Sequence, residues 1–228
     1  MMRIGILASG SGSNLQAILD ACAHGSIPAQ VAAVISNVAG ARALSRAEEA
    51  GVPALLLAHG AYPSRDAYDA EMVSLLRRHQ VDLICLAGFM RLITPVLLSA
   101  FQNRILNIHP SLLPAYPGMH AVRQALKAGA RVSGCTVHIV DEGTDTGPIV
   151  IQAAVPVVDG DTEETLAARI LVQEHRCYPR AIALMAQGRV EIDGRRVRIK
   201  DADADPARTL SSPEMTDSSI EVRGEDEI

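Results

Sequence analysis

Residues 3–14 read RIGILASGSGSN and combine an apolar strand, a glycine-rich turn and the start of a helix. The strand is predicted over Arg3–Ala8, because aliphatic residues dominate this stretch. Alternating glycine and serine then end it, and the apolar spacing that follows predicts a helix to about Ala23. A strand that passes through a short turn directly into a helix is typical of proteins built on a parallel sheet.

The same alternation of strands and helices continues to residue 200. The apolar runs predict six further strands, at Val31–Ser36, Pro53–Leu57, Val81–Leu86, Ile105–Ile108, Val132–Val140 and Ile149–Val157. Helical spacing predicts further helices at Ala41–Ala50, Ser64–Arg78, Pro95–Ala100, Ala121–Ala128 and Thr162–Gln187. A hairpin is predicted to turn at Gly194. The pattern indicates an α/β fold in which a parallel-rich sheet has helices on both faces.

The composition is that of an ordinary globular protein. Hydrophobic residues make up 48% of the 228 residues, yet no apolar run approaches the roughly 20 residues that a membrane span needs. The N-terminus is too short and too lightly charged for a secretory signal. The four cysteines lack zinc spacing, so we expect free thiols in a reducing cytoplasm and no metal. Aromatic residues are only 3% of the chain, and no basic run interleaves with them, which argues against a nucleic-acid partner.

The negative charge is concentrated at the C-terminal end. The chain has a formal net charge of −5, but residues 201–228 contain nine acidic residues and two arginines. This segment is rich in Asp, Glu, Ser and Pro, and such a composition predicts disorder, with an interaction segment as the alternative. We therefore expect a single domain over residues 1–200 and an acidic tail over residues 201–228.

A pair of polar side chains stands at the end of the strand predicted at Ile105–Ile108. Residues 107–114 read NIHPSLLP, and the period of a strand places Asn107 and His109 on the same side. The carboxyl ends of strands in open α/β sheets are where such folds bind ligands. With a carboxylate such as Asp145 nearby, the three groups would suit acyl-group transfer. Taken singly, each also has a structural reading, as a turn cap, a buried histidine and a turn residue.

Residues 10–14, which read GSGSN, form a candidate anion site between the first strand and the first helix. Glycines there let the backbone approach an anion, and the free amides of the first helical turn supply donors. The loop lacks the third glycine of dinucleotide-binding proteins and the Gly-Lys-Ser/Thr of a P-loop. A small phosphomonoester is therefore the better fit, and a tight turn that merely requires glycine is the alternative.

Four motifs in order resemble the phosphoribosylglycinamide formyltransferases, the folate-dependent enzymes of purine synthesis. They are GSNL at 12–15, LAGFMR at 86–91, NIHPSLLP at 107–114 and DTGP at 145–148. The resemblance covers about residues 2–195. It implies a three-layer α/β/α fold with a mostly parallel seven-stranded sheet of the Rossmann-like formyltransferase type. It also implies a phosphate-binding N-terminal half and a folate-binding C-terminal half.

The resemblance also implies a reaction. The formyl group of 10-formyltetrahydrofolate would pass to the amine of 5′-phosphoribosylglycinamide through a tetrahedral intermediate, with no metal. Asn107 and a protonated His109 would stabilise the oxyanion. Asp145 would keep His109 cationic, and it could order a water that carries a proton. Such an enzyme is expected in the cytoplasm, as a monomer or weak homodimer.

The substrate-binding residues that we assign also come from the resemblance. It implies that Gly12, Ser13 and Asn14 hold the ribose phosphate and that Glu174 accepts hydrogen bonds from the ribose hydroxyls. The residues implied for the folate are Arg65, which would reach its glutamate, and Met90, Arg91, Leu92, Ile93, Asp141, Glu142, Gly143 and Thr144. The remaining histidines are expected to be structural, although His120 and His138 could border the site.

Three alternatives remain at this point. A hydrolase of 10-formyltetrahydrofolate would use the same Asn, His and Asp, but it would be expected to have an N-terminal regulatory domain and no phosphate loop. A methionyl-tRNA formyltransferase would be expected to have a further C-terminal domain and a basic surface. A non-catalytic nucleotide-binding module would use only the glycine loop, which leaves Asn107, His109 and Asp145 without a role.

Overall fold

The structure is a computed structural model, and it describes residues 1–201. The predicted tail lies outside the described residues, apart from Asp201 at its start. Within residues 1–201, no helix is both long enough and apolar enough to cross a membrane.

A seven-stranded sheet in the order β3-β2-β1-β4-β5-β6-β7 runs through the centre of the molecule. Its strands are β1 (Met2–Leu7), β2 (Ala29–Ser36), β3 (Ala54–Leu56), β4 (Leu83–Leu86), β5 (Ile105–His109), β6 (Val132–Ile139) and β7 (Ile149–Pro156). The first five strands in this order pair in parallel, whereas β6 runs antiparallel to both β5 and β7. The expectation of a mostly parallel seven-stranded sheet is confirmed.

Within residues 1–201, six α-helices surround the sheet. They are α1 (Ser13–Ala23), α2 (Arg42–Glu49), α3 (Arg65–Arg78), α4 (Pro95–Ala100), α5 (Ala121–Lys127) and α6 (Glu163–Ala186). A separate hairpin consists of β8 (Val190–Asp193) and β9 (Arg196–Ile199). The predicted ends are displaced by one or two residues at most. Ser64 caps α3, since its side chain accepts a hydrogen bond from the Ala67 amide.

The sheet buries one hydrophobic cluster on each face. Ile4 and Ile6 of β1 belong to the cluster that α1 and α6 cover. Leu7 points to the opposite face, in a cluster with Tyr68 of α3 and Leu97 of α4. Side chains of a strand alternate between the two faces, so the apolar runs fill both cores. The result is the three-layer α/β/α arrangement.

Three loops meet at the carboxyl ends of the parallel strands. β1 lies between β2 and β4, which is where the strand order changes direction, and open α/β sheets bind ligands at such a point. The Ser9 amide donates to the Gly88 carbonyl over 3.0 Å. The Ser9 hydroxyl accepts from the Met90 amide at 2.9 Å and donates to Asn37 Oδ1 at 2.6 Å. These bonds fix the loops after β1, β2 and β4 to one another.

Candidate active site

Asn107, His109 and Asp145 meet at the end of β5. Asn107 and His109 lie on the same side of β5, and Asp145 comes from the loop between β6 and β7. His109 Nδ1 is 3.2 Å from Asp145 Oδ2, and Asn107 Nδ2 donates to Asp145 Oδ1 at 3.4 Å. The Gly118 amide also donates to Asp145 Oδ2 at 2.8 Å. The structure therefore brings together all three residues assigned to catalysis.

The carboxyl group of Asp145 is held in its ionised form. Burial by itself would raise the pKa of Asp145, since only 11% of its side chain is exposed. Hydrogen bonds from His138 and from the Gly118 amide, together with the charges of His109 and His138, outweigh burial and lower the pKa below its ordinary value. Asp145 is consequently an anion at neutral pH.

Both ring nitrogens of His109 face hydrogen-bond acceptors. Nδ1 points at the Asp145 carboxylate, and Nε2 lies 2.9 Å from the Tyr116 carbonyl oxygen. An ionised carboxylate and a carbonyl can only accept, so an N–H at either ring position has an acceptor within reach. The oxygen that faces Nε2 lies at the end of the strand.

His138 joins the cluster from the neighbouring strand. It is the register partner of Asn107 across β5 and β6. Its Nδ1 lies 3.0 Å from the Ile139 carbonyl oxygen, and its Nε2 lies 3.2 Å from Asn107 Nδ2. Nε2 is also 3.6 Å from Asp145 Oδ1. Sequence reasoning expected His138 at most to border the site. The register between β5 and β6, which no local sequence pattern reveals, places His138 within the site.

The glycine loop forms a second polar pocket beside the first. Gly12 has φ 70°, in the left-handed region, and α1 begins at the next residue without a side-chain cap. Within residues 1–201, the amides of Ser11, Gly12, Ser13 and Asn14 have no hydrogen-bond acceptor. The loop lines a cavity of about 200 Å³ together with Ala87, Gly88 and Met90. Four free amides at a helix start provide a ready anion site.

Glu174 of α6 is joined to this loop by a hydrogen bond with Asn14. Asn14 Nδ2 donates to Glu174 Oε2 at 2.7 Å, although the two residues are 160 positions apart. Glu174 is 8% exposed, and its burial raises the pKa of the carboxyl group even though the hydrogen bond from Asn14 lowers it in part. The buried Asn14 Oδ1 has no partner within the described part of the chain. Both side chains can therefore form further hydrogen bonds with a ligand.

The segment after β4, to which the sequence assigned a folate contact, exposes two large apolar side chains. Met90 and Leu92 are large apolar side chains that are 66% and 63% exposed. The Arg91 guanidinium lies over the Tyr68 ring, 5.0 Å from its centroid, while Ile93 packs against the core on the α3 face. Arg65 is exposed at the first residue of α3, one turn before Tyr68.

The loop from Asp141 to Thr144 stands apart from that segment. Asp141 Oδ1 accepts from the Gly143 amide at 3.1 Å and from the Thr146 hydroxyl at 2.7 Å, so this carboxylate closes its own loop. Glu142, Gly143 and Thr144 are exposed. Within residues 1–201, no hydrogen bond or ion pair joins this loop to residues 90–93. In the same range, no group of three or more His, Cys, Asp and Glu side chains is arranged to hold a metal ion.

Comparison with known proteins gives matches over most of the chain. The formyl transferase family model matches residues 2–182. The phosphoribosylglycinamide formyltransferase of Mycobacterium tuberculosis (strain CDC 1551 / Oshkosh) is 49% identical over 193 residues, which are 85% of this chain and 89% of that protein. The trifunctional purine biosynthetic protein adenosine-3 of Drosophila pseudoobscura pseudoobscura is 50% identical over 82% of this chain, but the match spans only 14% of that longer protein.

A solved structure agrees with the fold as well as with the sequence. The glycinamide ribonucleotide transformylase 1 of Symbiobacterium toebii superposes with a TM-score of 0.87 at 61% sequence identity. The alignment covers 87% of this chain and 94% of that one. With the family match over residues 2–182, these similarities establish that the chain belongs to the formyl transferase family.

Proposed function

We propose that this protein transfers the formyl group of 10-formyltetrahydrofolate to the amine of 5′-phosphoribosylglycinamide, a step of de novo purine biosynthesis. The observation that carries this proposal is the meeting of Asn107, His109 and Asp145 beside a loop with four free amides. Formyl-folate would be a co-substrate, and the chemistry needs no metal. We further propose a cytoplasmic enzyme that works as a monomer or weak homodimer, without nucleic-acid or membrane partners.

The ribonucleotide would bind along the edge formed by β1, β4 and β5. Its phosphate would sit against the amides and side chains of Gly12, Ser13 and Asn14, where the α1 dipole favours an anion. The Glu174 carboxyl would accept hydrogen bonds from the ribose hydroxyls, since it lies beside Asn14. The amine would then extend toward the end of β5, two strands away from β1 in the sheet.

The folate would approach from the side of the exposed apolar residues. The pterin would lie between the segment from Met90 to Ile93 and the loop from Asp141 to Thr144. Burial of the exposed Met90 and Leu92 side chains against the ring would contribute to affinity. Arg65 would reach the glutamate of the folate, since it is exposed at the first turn of α3.

The catalytic groups would act on a tetrahedral intermediate. The amine attacks the formyl carbon, the carbonyl oxygen becomes an oxyanion, and the bond from carbon to N10 then breaks. A proton passes from the attacking amine to the departing N10, by way of a water that Asp145 could order. His109 Nε2–H and the Asn107 amide would stabilise the oxyanion, and one such donor is typically worth about 3 kcal/mol. The oxyanion would take the place of the Tyr116 carbonyl, which now accepts from Nε2.

The hydrolase alternative explains less of the molecule. A hydrolase needs Asn107, His109 and Asp145, but it has no use for the free amides of the glycine loop. It also leaves the buried pair of Asn14 and Glu174 without a purpose, and a buried carboxyl group is costly to retain. The transferase proposal gives each of these features a ligand to bind.

The proposal is tested by the identity of the product. The protein is incubated with 10-formyltetrahydrofolate labelled with ¹³C in the formyl group and with 5′-phosphoribosylglycinamide. We expect the label to appear in an N-formyl amide of the ribonucleotide, visible by NMR and mass spectrometry. Recovery of all the label as free formate would reject formyl transfer.

Glu174→Gln is expected both to raise the stability of the folded protein and to weaken its binding of the ribonucleotide. Glutamine keeps an oxygen for Asn14 but removes a carboxyl group whose pKa is raised by burial. Because the pKa of Glu174 is raised in the folded state, the ionised carboxylate lowers the free energy of unfolding at pH values above that pKa. Below the ordinary value near 4.5 the carboxyl group is protonated in both the folded and the unfolded state, so this loss of stability is absent. The variant should therefore have a higher Tm at pH 7 than the wild type, and the gain should disappear toward pH 4.

The same substitution should cost affinity for the ribonucleotide, by about tenfold or more, because hydrogen bonds to a charged acceptor are the stronger kind. Calorimetry with each ligand measures this, and folate affinity serves as the internal control. A variant that is less stable at pH 7, or that binds the ribonucleotide as well as the wild type does, would contradict the role given to Glu174.

A further inference from the structure

Arg46 of α2 is attached directly to the glycine loop. Its Nε–H donates to the Ser11 carbonyl at 2.9 Å, and an Nη1–H donates to Gln16 Oε1 at 2.9 Å. The Ala43 amide of the same helix donates to the Gly10 carbonyl at 3.2 Å. Helix α2 therefore holds the glycine loop by hydrogen bonds to two loop carbonyl groups, those of Gly10 and Ser11, and the Arg46 side chain makes the second of them.

The bond from Arg46 also sets the direction of an amide. A trans peptide is planar, so its C=O and N–H point in opposite directions. Since Arg46 holds the Ser11 carbonyl toward α2, the N–H of Gly12 in the same peptide points away from α2. The cavity of the glycine loop is lined by residues 9–14, Ala87, Gly88 and Met90, with no residue of α2. The orientation that Arg46 imposes thus leaves the Gly12 amide available to a ligand on that side.

Arg46 also supplies the charge that the loop itself lacks. Residues 9–15 contain no basic side chain, and within residues 1–201 Arg46 is the cation that hydrogen-bonds to residues 9–16. The Glu174 carboxyl accepts a hydrogen bond from Asn14, which lines the same pocket, and a phosphomonoester carries nearly two negative charges at neutral pH. An arginine offers five N–H donors, and two of them hold Arg46 in place beside the loop.

We propose that Arg46 is the positioning residue that makes this site selective for a phosphorylated ligand. It orients the Ser11–Gly12 peptide and adds a positive charge, and both effects act on the phosphate rather than on the ribose or the glycinamide. The identity of the full substrate rests on the proposed function, whereas recognition of the phosphate requires only a phosphomonoester in the loop.

The test compares ligands with and without the phosphate. Arg46→Gln, Arg46→Lys and the wild type are titrated with 5′-phosphoribosylglycinamide, with its dephosphorylated ribonucleoside and with ribose 5-phosphate. Arg42→Gln is the matched control, because it removes the same charge from the same helix at an exposed position, where the nearest partner, Glu49, is 4.0 Å away. Circular dichroism and Tm confirm that each variant is folded.

We expect Arg46→Gln to weaken both phosphorylated ligands by about 10- to 100-fold, the range for one charge-assisted hydrogen bond such as that of the Gly12 amide to the phosphate. The ribonucleoside should change by about threefold or less, and Arg42→Gln should change every ligand by about twofold or less, as is usual for an exposed charge. Arg46→Lys keeps the charge and should restore part of the loss. If Arg46→Gln does not fold, Arg46→Lys takes its place in the comparison. Its loss of affinity should then be confined to the phosphorylated ligands.

An equal loss for the ribonucleoside and the ribonucleotide would overturn the proposal, since it would reduce Arg46 to a support for the fold. An effect of Arg42→Gln as large as that of Arg46→Gln would overturn the proposal as well. A wild type that binds ribose 5-phosphate but not the ribonucleotide would refute the proposed substrate, and the ribose 5-phosphate titrations would still decide the role of Arg46. A wild type that binds neither would refute both.

Discussion

Asp145→Asn is expected to lower kcat by about 10²- to 10⁴-fold, the range for loss of assisted proton transfer, while both substrates still bind. Asparagine keeps the size of the side chain but removes the charge that lies 3.2 Å from His109 Nδ1. Without that anion, the imidazolium form of His109 should be less populated at neutral pH. The contact matters most when the oxyanion forms, so the loss should fall on kcat more than on the KM values.

The double mutant supplies the control for this prediction. If Asp145 acts through His109, then Asp145→Asn combined with His109→Ala should cost much less than the product of the two single losses. Titration of His109 by NMR in the single variant gives an independent readout. Near-wild-type turnover in Asp145→Asn, or fully multiplicative losses with an unchanged His109 titration, would reduce Asp145 to a loop residue.

Gly12→Val is expected to abolish measurable ribonucleotide binding while folate binding survives. Gly12 has φ 70°, which a β-branched residue rarely adopts. A Cβ at this position would also lie 2.9 Å from Ala43 Cα and 3.3 Å from Arg46 Cδ. Because these are atoms of α2, the loop or the helix must move, and the free amides would lose their arrangement.

Gly60→Val is the matched control for this substitution. Gly60 lies outside the glycine loop, between β3 and α3, has no left-handed backbone conformation, and a Cβ there would have no neighbour within 4 Å. It should change ribonucleotide affinity only slightly, and Tm should separate a local effect from unfolding. A folded Gly12→Val variant that loses both ligands equally in calorimetry would reject the assignment of the loop to the phosphate.

The fold was largely predictable because its elements carry local signals. Apolar runs marked each strand of the sheet, and helical spacing marked each of the six helices. The antiparallel direction of β6 had no such signal, since β6 is buried along most of its length, as the parallel strands are. Direction depends on the path of the connecting chain, which residue patterns within a strand do not contain.

The candidate site was predictable only in part. Asn107 and His109 share a strand, so the period of the backbone alone placed them together. Asn14 and Glu174 are 160 positions apart, and only the resemblance to a family predicted that both belong to the site. His138 and Arg46 were missed, because one depends on the register between β5 and β6 and the other on how α2 packs against the glycine loop. Both are long-range contacts, and neither leaves a mark in the neighbouring sequence.

The most direct measurement of the central claim is the consumption of 10-formyltetrahydrofolate with and without 5′-phosphoribosylglycinamide. Loss of the formyl group is followed optically, and the formylated ribonucleotide is counted in the same sample. If the glycine loop and the cluster at the end of β5 form one transferase site, consumption should require the ribonucleotide and match its formylation one for one. Equal consumption in its absence, with release of formate, would contradict the account and identify a hydrolase.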